Sequence, residues 1–371
     1  MLIGTATSAH QIEGNNKNSD WWYFENSGRL KHKSGIACDS YNHFKDDINL
    51  MKKLKLNSYK FSIEFARIMP KRNLLDFEAV DHYKELISEL KRNYIEPIPT
   101  LWHYTFPMWF YKLGGFEKKK NIAIFVDYVK ALLNEGLDAK YVITINEPVV
   151  YALKSYLTKA YPPFKRSFRQ AYRMINNLIH LNNELYDLLK KEGYQTGCAN
   201  NLIYFGKARR IIPFLHLSEY FYNIRFIKYT KADFIGINYY HDMNLLLSLK
   251  LKKAQNEMGW SIYPYGLHYL VENYYNRFKK PIMVTENGIA TTNEELKSRF
   301  ISEHFEALLN AKKEGVPILG YHYWSLLDNF EWNYGYTKKF GVAYVDKKTG
   351  KRVLKKSAYS LKKIAEKYST A

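Results

Sequence analysis

The chain has 371 residues, 46% of them hydrophobic and 25% charged, a globular balance that excludes extended disorder. Lys and Arg outnumber Asp and Glu by 56 to 36, a net charge of +20, so an anionic partner has to be weighed. The lysines are scattered, as in Lys118–Lys120, Lys250–Lys253 and Lys347–Lys356, and bulk composition accounts for them better than a nucleic-acid footprint does.

Two cysteines, Cys38 and Cys198, exclude a disulfide framework and a Cys-rich metal site. The start, Met1 to Ala6, has neither the basic region nor the apolar core of a signal peptide. No apolar run approaches the roughly 18 residues of a membrane span. A soluble, cytoplasmic protein is expected, with its oligomeric state left open.

Strand one, Leu2–Ala6, runs into His10-Gln11-Ile12-Glu13-Gly14, and a helix follows over Tyr41–Leu54. Strand two, Ser58–Ile63, precedes a helix over Phe77–Arg92. Strand three, Pro97–Trp102, leads into His103 and then a helix over Ile122–Asn134. Strand four, Tyr141–Asn146, ends in Glu147-Pro148, with a helix over Phe168–Lys191 beyond it. Strand five is Gln195–Asn200. Strand six, Asp233–Asn238, is followed by Tyr239 and Tyr240. Strand seven, Pro281–Glu286, meets Asn287-Gly288, and a helix covers Glu294–Lys313. Strand eight, Ile318–Trp324, opens into the segment that holds Glu331 and Trp332.

Each strand is apolar on both faces, as when helices cover a parallel sheet, and each helix shows apolar residues at helical spacing. Eight strands alternating with helices predict an α/β fold, a single (β/α)8 TIM barrel over 1–371 with shortened βα loops. A doubly wound sheet would usually carry a glycine-rich turn after strand one, and none is present. No linker or internal repeat divides the chain.

Chemistry in such a barrel gathers at the C-terminal ends of the strands. Glu147 and Glu286 both end strands there, on opposite parts of the ring. Pro148 stops the ladder and is expected to push Glu147 towards an extended backbone, while Asn287-Gly288 marks a turn. Two carboxylates facing one pocket suit glycoside hydrolysis. Gln11, Glu13, His103, Asn238, Trp324 and Glu331 at other strand ends supply partners for hydroxyls and a flat surface for a pyranose.

The segments Ala6 to Gly14, Phe61-Ser62-Ile63, Thr144 to Pro148, Thr285 to Gly288 and Trp324 to Trp332 resemble glycoside hydrolase family 1, the retaining β-glucosidases and β-galactosidases. The resemblance implies Glu147 as acid/base and Glu286 as nucleophile. It also implies Gln11, His103, Asn146, Tyr240, Trp324, Glu331 and Trp332 around the substrate, with Lys60, Asn238 and Tyr240 orienting the nucleophile. Lys60 and Tyr240 are expected to favour the Glu286 anion and so to separate the two carboxyls in pKa.

The substrates implied are small β-glycosides or oligosaccharides, with no metal and no organic cofactor. The chain departs from the family in its short segment between Asn200 and Asp233, in Lys60 where an arginine is usual, and in Tyr104 and Val149 where tryptophans are usual. These departures keep open a weakly active or purely sugar-binding relative. Lys338 and Lys339 keep open a 6-phospho-β-glycosidase.

Overall fold

The computed structural model describes residues 1–206, 212–243 and 256–369; the lysines of Lys250–Lys253 lie outside them. Eight strands are present: β1 (Leu2–Ala6), β2 (Ser58–Ser62), β3 (Glu96–Trp102), β4 (Tyr141–Asn146), β5 (Gln195–Asn201), β6 (Phe234–Tyr239), β7 (Ile282–Asn287) and β8 (Ile318–Trp324). Each lies within one residue of its expected bounds. They pair in chain order and in parallel, and β8 closes on β1 with Leu2 opposite Gly320 and Ala6 opposite Trp324. The fold is the expected (β/α)8 barrel.

The helices cover the barrel as their periodicity requires. On the longest, Phe168–Lys191, the leucines 178, 181, 185 and 189 form one fully buried stripe. The side chains of Asp76 and Asn293 accept from Ala79 N and Leu296 N, so the helices Phe77–Arg92 and Glu294–Lys313 begin where the sequence supplies a cap. A further helix, Pro264–Phe278, separates β6 from β7 and starts on a proline, whose missing N–H costs nothing in a first turn. After β8 come a short antiparallel pair, Ala343–Val345 with Arg352–Leu354, and the helix Ala358–Tyr368, which packs on Glu294–Lys313 and on β1. Among the described residues no helix is long and apolar enough to cross a membrane.

Inside the barrel Ile98, Ile143, Ala199, Phe234 and Met283 form a dry layer separate from the core beneath the helices. Strand alternation carries chemistry outward from it. On β6, Asn238 and then Tyr240 follow Phe234 on the same face in two-residue steps. Lys60 on β2 is fully buried. The C-terminal mouth is thus the polar end of an otherwise apolar barrel.

Candidate active site

A cavity of about 220 Å³ occupies that mouth. It is lined by Gln11, His103, Asn146, Glu147, Tyr240, Glu286, Trp324, Glu331 and Trp332, all expected from the sequence. Glu13 is not among them. It pairs with Arg67 (Nε to Oε2 2.7 Å) and accepts from the Tyr83 hydroxyl at 2.8 Å, an ion pair that holds the turn after β1 to its neighbours.

Glu147 does not have the extended backbone expected of a residue before proline. Its φ and ψ are 47° and 57°, in the left-handed region, and it caps the helix Pro148–Tyr156. The proline ring clashes with a right-handed helical residue before it, but the left-handed region stays open. Pro148 then fits the first turn, where its N–H is not needed. The Glu147 N–H still bonds the Ala199 carbonyl at 2.7 Å, so the residue leaves the sheet and enters the helix in one step. Tyr104 (φ 73°) and Trp332 (φ 47°) are also left-handed and also line the cavity. Such backbones cost about 1–3 kcal/mol each and persist only where the surroundings impose them.

Glu286 is the penultimate residue of β7. Its Oε1 accepts from the Lys60 ammonium at 2.5 Å and its Oε2 from the Tyr240 hydroxyl at 2.5 Å. Next along the chain, a Cβ on Gly288 would stand 1.9 Å from the Trp324 carbonyl oxygen. Only glycine lets the end of β7 lie that close to β8. Burial raises the Glu286 carboxyl above its ordinary pKa, and the Glu147 charge pushes the same way. Lys60 and Tyr240 favour the anion, as expected, but do not outweigh burial and the Glu147 charge. The Tyr240 phenol is itself pushed far up by burial and by Glu286, so it stays a donor.

Lys60 also donates to Asn146 Oδ1 at 2.7 Å, and this fixes a chain of roles. An ammonium can only donate, so the Asn146 amide nitrogen must face His103 Nε2, 3.1 Å away, which therefore accepts. Burial, with the Lys60 charge, drives the His103 pKa well down, so the ring is neutral and carries its proton on Nδ1. Nδ1 has no hydrogen-bond partner among the described residues. That N–H is buried and unsatisfied in a residue that lines the cavity.

Asn238 corrects another expectation. Its oxygen accepts from the Thr285 hydroxyl at 2.7 Å, which turns its NH2 to Glu147 Oε1 at 2.9 Å and not to Glu286. Glu147 has two partners that the sequence did not reveal. Asn201 donates to Oε1 at 3.0 Å and the Tyr104 hydroxyl to Oε2 at 2.5 Å. Asn201 is the last residue of β5, one beyond the expected strand end, and the extra residue is what brings it to the mouth.

Glu331 is bonded by Gln11 Nε2 at 3.2 Å and by the Trp324 side chain. Gln11 also donates to the Phe330 carbonyl at 2.9 Å and accepts from Ser8 Oγ at 2.8 Å, so its amide is fixed before any ligand arrives. Trp332 lies nearly parallel to His10, with ring centres 5.6 Å apart and planes 12° apart, which locks the indole at the cavity wall. The outer wall includes Lys154, Tyr161, Tyr222 and Trp260. The short connection between β5 and β6, although trimmed, still contributes Tyr222, whose hydroxyl donates to Asn201 Oδ1 at 3.1 Å.

The model of glycosyl hydrolase family 1 matches residues 1–206 and 206–370. β-Glucosidase A of Thermotoga maritima is 30% identical in an alignment of 425 residues that covers 97% of this chain and 95% of the relative. A 6-phospho-β-galactosidase of Clostridium acetobutylicum is 28% identical over 98% of this chain and 96% of its own. Among solved structures, a β-glycosidase from Pyrococcus horikoshii superposes with a TM-score of 0.90 at 36% identity, covering 98% of this chain and 93% of that one. The Thermotoga maritima β-glucosidase in complex with noeuromycin gives 0.91 at 28% identity, covering 100% and 98%.

Proposed function

The chain belongs to glycosyl hydrolase family 1 and is a glycoside hydrolase of the β-glucosidase type, acting on O-glycosyl bonds; from that premise we propose that it removes a terminal non-reducing β-D-glucosyl, galactosyl or fucosyl residue from a small β-glycoside or oligosaccharide, with retention. The observation that carries this reading is the unequal surroundings of the two glutamates. Glu286 meets an ammonium and a phenol; Glu147 meets two amides and a phenol.

Lys60 and Tyr240 hold both oxygens of Glu286 and offset the cost of its buried anion, which suits attack on the anomeric carbon. As that bond forms, the bond to the leaving oxygen breaks and Glu147 gives that oxygen its proton. The two amides occupy Oε1 of Glu147, so Oε2, beside Tyr104, is the oxygen that passes the proton. Water then attacks the glycosyl–enzyme, surrenders a proton to Glu147 and frees Glu286. The neutral His103, with Gln11, Asn146, Glu331 and Trp332, holds the sugar hydroxyls over Trp324.

A free sugar fits better than a 6-phosphosugar. Glu331 presents a carboxyl to the cavity, and neither Lys338 nor Lys339 lines it. Lys338 instead donates to the Glu257 carbonyl at 2.5 Å. The test is kcat/KM for phenyl β-glucoside against its 6-phosphate. The free glucoside should be favoured at least about tenfold, since a phosphate dianion beside the Glu331 carboxyl would be buried in a low-dielectric pocket with neither Lys338 nor Lys339 to pair it. Preference for the phosphate would overturn the assignment.

A further inference from the structure

We infer that the leaving-group end of the cavity is built to receive an anion, so that the substrate is a β-glycoside whose aglycone carries a carboxylate; this rests on the reading of Glu147 as the acid beside the leaving oxygen. The helix Pro148–Tyr156 begins at Glu147, and Val150 and Lys154 follow three and seven residues on, which sets all three on one helical face. All three line the cavity. At a rise of about 1.5 Å per residue, Lys154 lies about 10 Å further along the helix axis than Glu147. That is roughly the reach of one ring beyond the leaving oxygen.

Charge in the cavity is sharply divided. Glu147, Glu286 and Glu331 stand at the inner end, where Lys60 is already engaged by Glu286 and Asn146. Lys60 is buried behind the wall, whereas Lys154 lines it, and among the described residues Lys154 has no carboxylate within 4.0 Å and no side-chain hydrogen bond. The other residues of this outer wall, Tyr161, Asn201, Tyr222 and Trp260, bring no compensating charge, because burial keeps both phenols protonated. A neutral aglycone would leave the ammonium of this half-buried residue without a counter-charge. A carboxylated aromatic aglycone would stack against the aromatic rings of the wall and reach the ammonium with its acid. The net charge of +20 favours approach of such an anion.

The test compares 4-carboxyphenyl and 4-carbamoylphenyl β-glucosides, which match in shape and differ in charge. The ratio of their kcat/KM values, carboxylate over amide, should fall about fivefold or more in Lys154→Met, be kept in Lys154→Arg, and decline in wild type as salt is raised. An unchanged ratio in Lys154→Met, or a wild-type preference for the amide that salt does not alter, would overturn the inference. Binding of 4-hydroxybenzoate against 4-hydroxybenzamide, read by tryptophan fluorescence, tests the site without turnover. If the acid binds better through Lys154 but neither glucoside is cleaved, the glycosidase reading fails and the anion site stands. If both glucosides are cleaved but Lys154→Met leaves both ratios alone, the anion site fails and the glycosidase reading stands.

Discussion

Glu331 is the third carboxyl in a cavity that already holds Glu147 and Glu286. Burial first, and then the charges of Glu286 and Glu147, push its pKa up to about 8, against the hydrogen bonds from Gln11 and Trp324. The ordinary value is 4.5. Between these two values the native protein keeps a proton that the unfolded chain has lost. This group therefore makes the fold less stable as pH rises from about 4.5 to about 8, and adds no further loss above that window. Glu331→Gln keeps the shape and removes the titration. It should lose less stability than wild type between about pH 5 and about pH 8.5, read as urea midpoints. Equal losses would mean that Glu331 ionises as an exposed carboxyl does. The same two roles, bonded by an amide and pressed by neighbouring charge, explain why Glu331 was legible as a cavity residue while its protonation was not. The motif gives its place, but its pKa depends on Glu147 and Glu286, which are distant in sequence.

The helix Pro148–Tyr156 shows where local reasoning stops. Its Val149 and Val150 are poor helix formers, so propensity did not announce it, yet it positions both Glu147 and Lys154. The left-handed backbone of Glu147 is imposed by the strand before it and the helix after it, and that strain has a measurable sign. Glycine adopts this conformation freely and alanine does not. Glu147→Gly should therefore be about 1 kcal/mol more stable than Glu147→Ala in chemical denaturation, while both lose activity on poor leaving groups. An alanine variant as stable as the glycine variant would show that the backbone relaxes once the side chain is gone. Asn238 carries a related lesson. The family resemblance pointed it to the nucleophile, and it does lie opposite Glu286 in the β6–β7 register. The Thr285 hydroxyl holds its oxygen and turns the amide to Glu147, a choice made by tertiary hydrogen bonding alone.

At the scale of the molecule the barrel was readable because its strands are buried on both faces and its helices carry buried stripes, signals that survive in composition and spacing. What was not readable depends on closure. Tyr104 and Asn201 reach Glu147 from the ends of β3 and β5, 43 and 54 residues away in the chain, and no local pattern links them. Closure also gives Glu147 and Glu286 different partners, and the division of labour proposed for these two carboxyls is the central claim. It is tested by treating the enzyme with an activated 2-deoxy-2-fluoro-β-glucoside, which slows release of the glycosyl–enzyme, and locating the label by peptide mass spectrometry. The account predicts one sugar per chain, on the peptide containing Glu286, with labelling abolished in Glu286→Ala. A label on Glu147 or Glu331, or turnover with no covalent intermediate and inverted product, would contradict it.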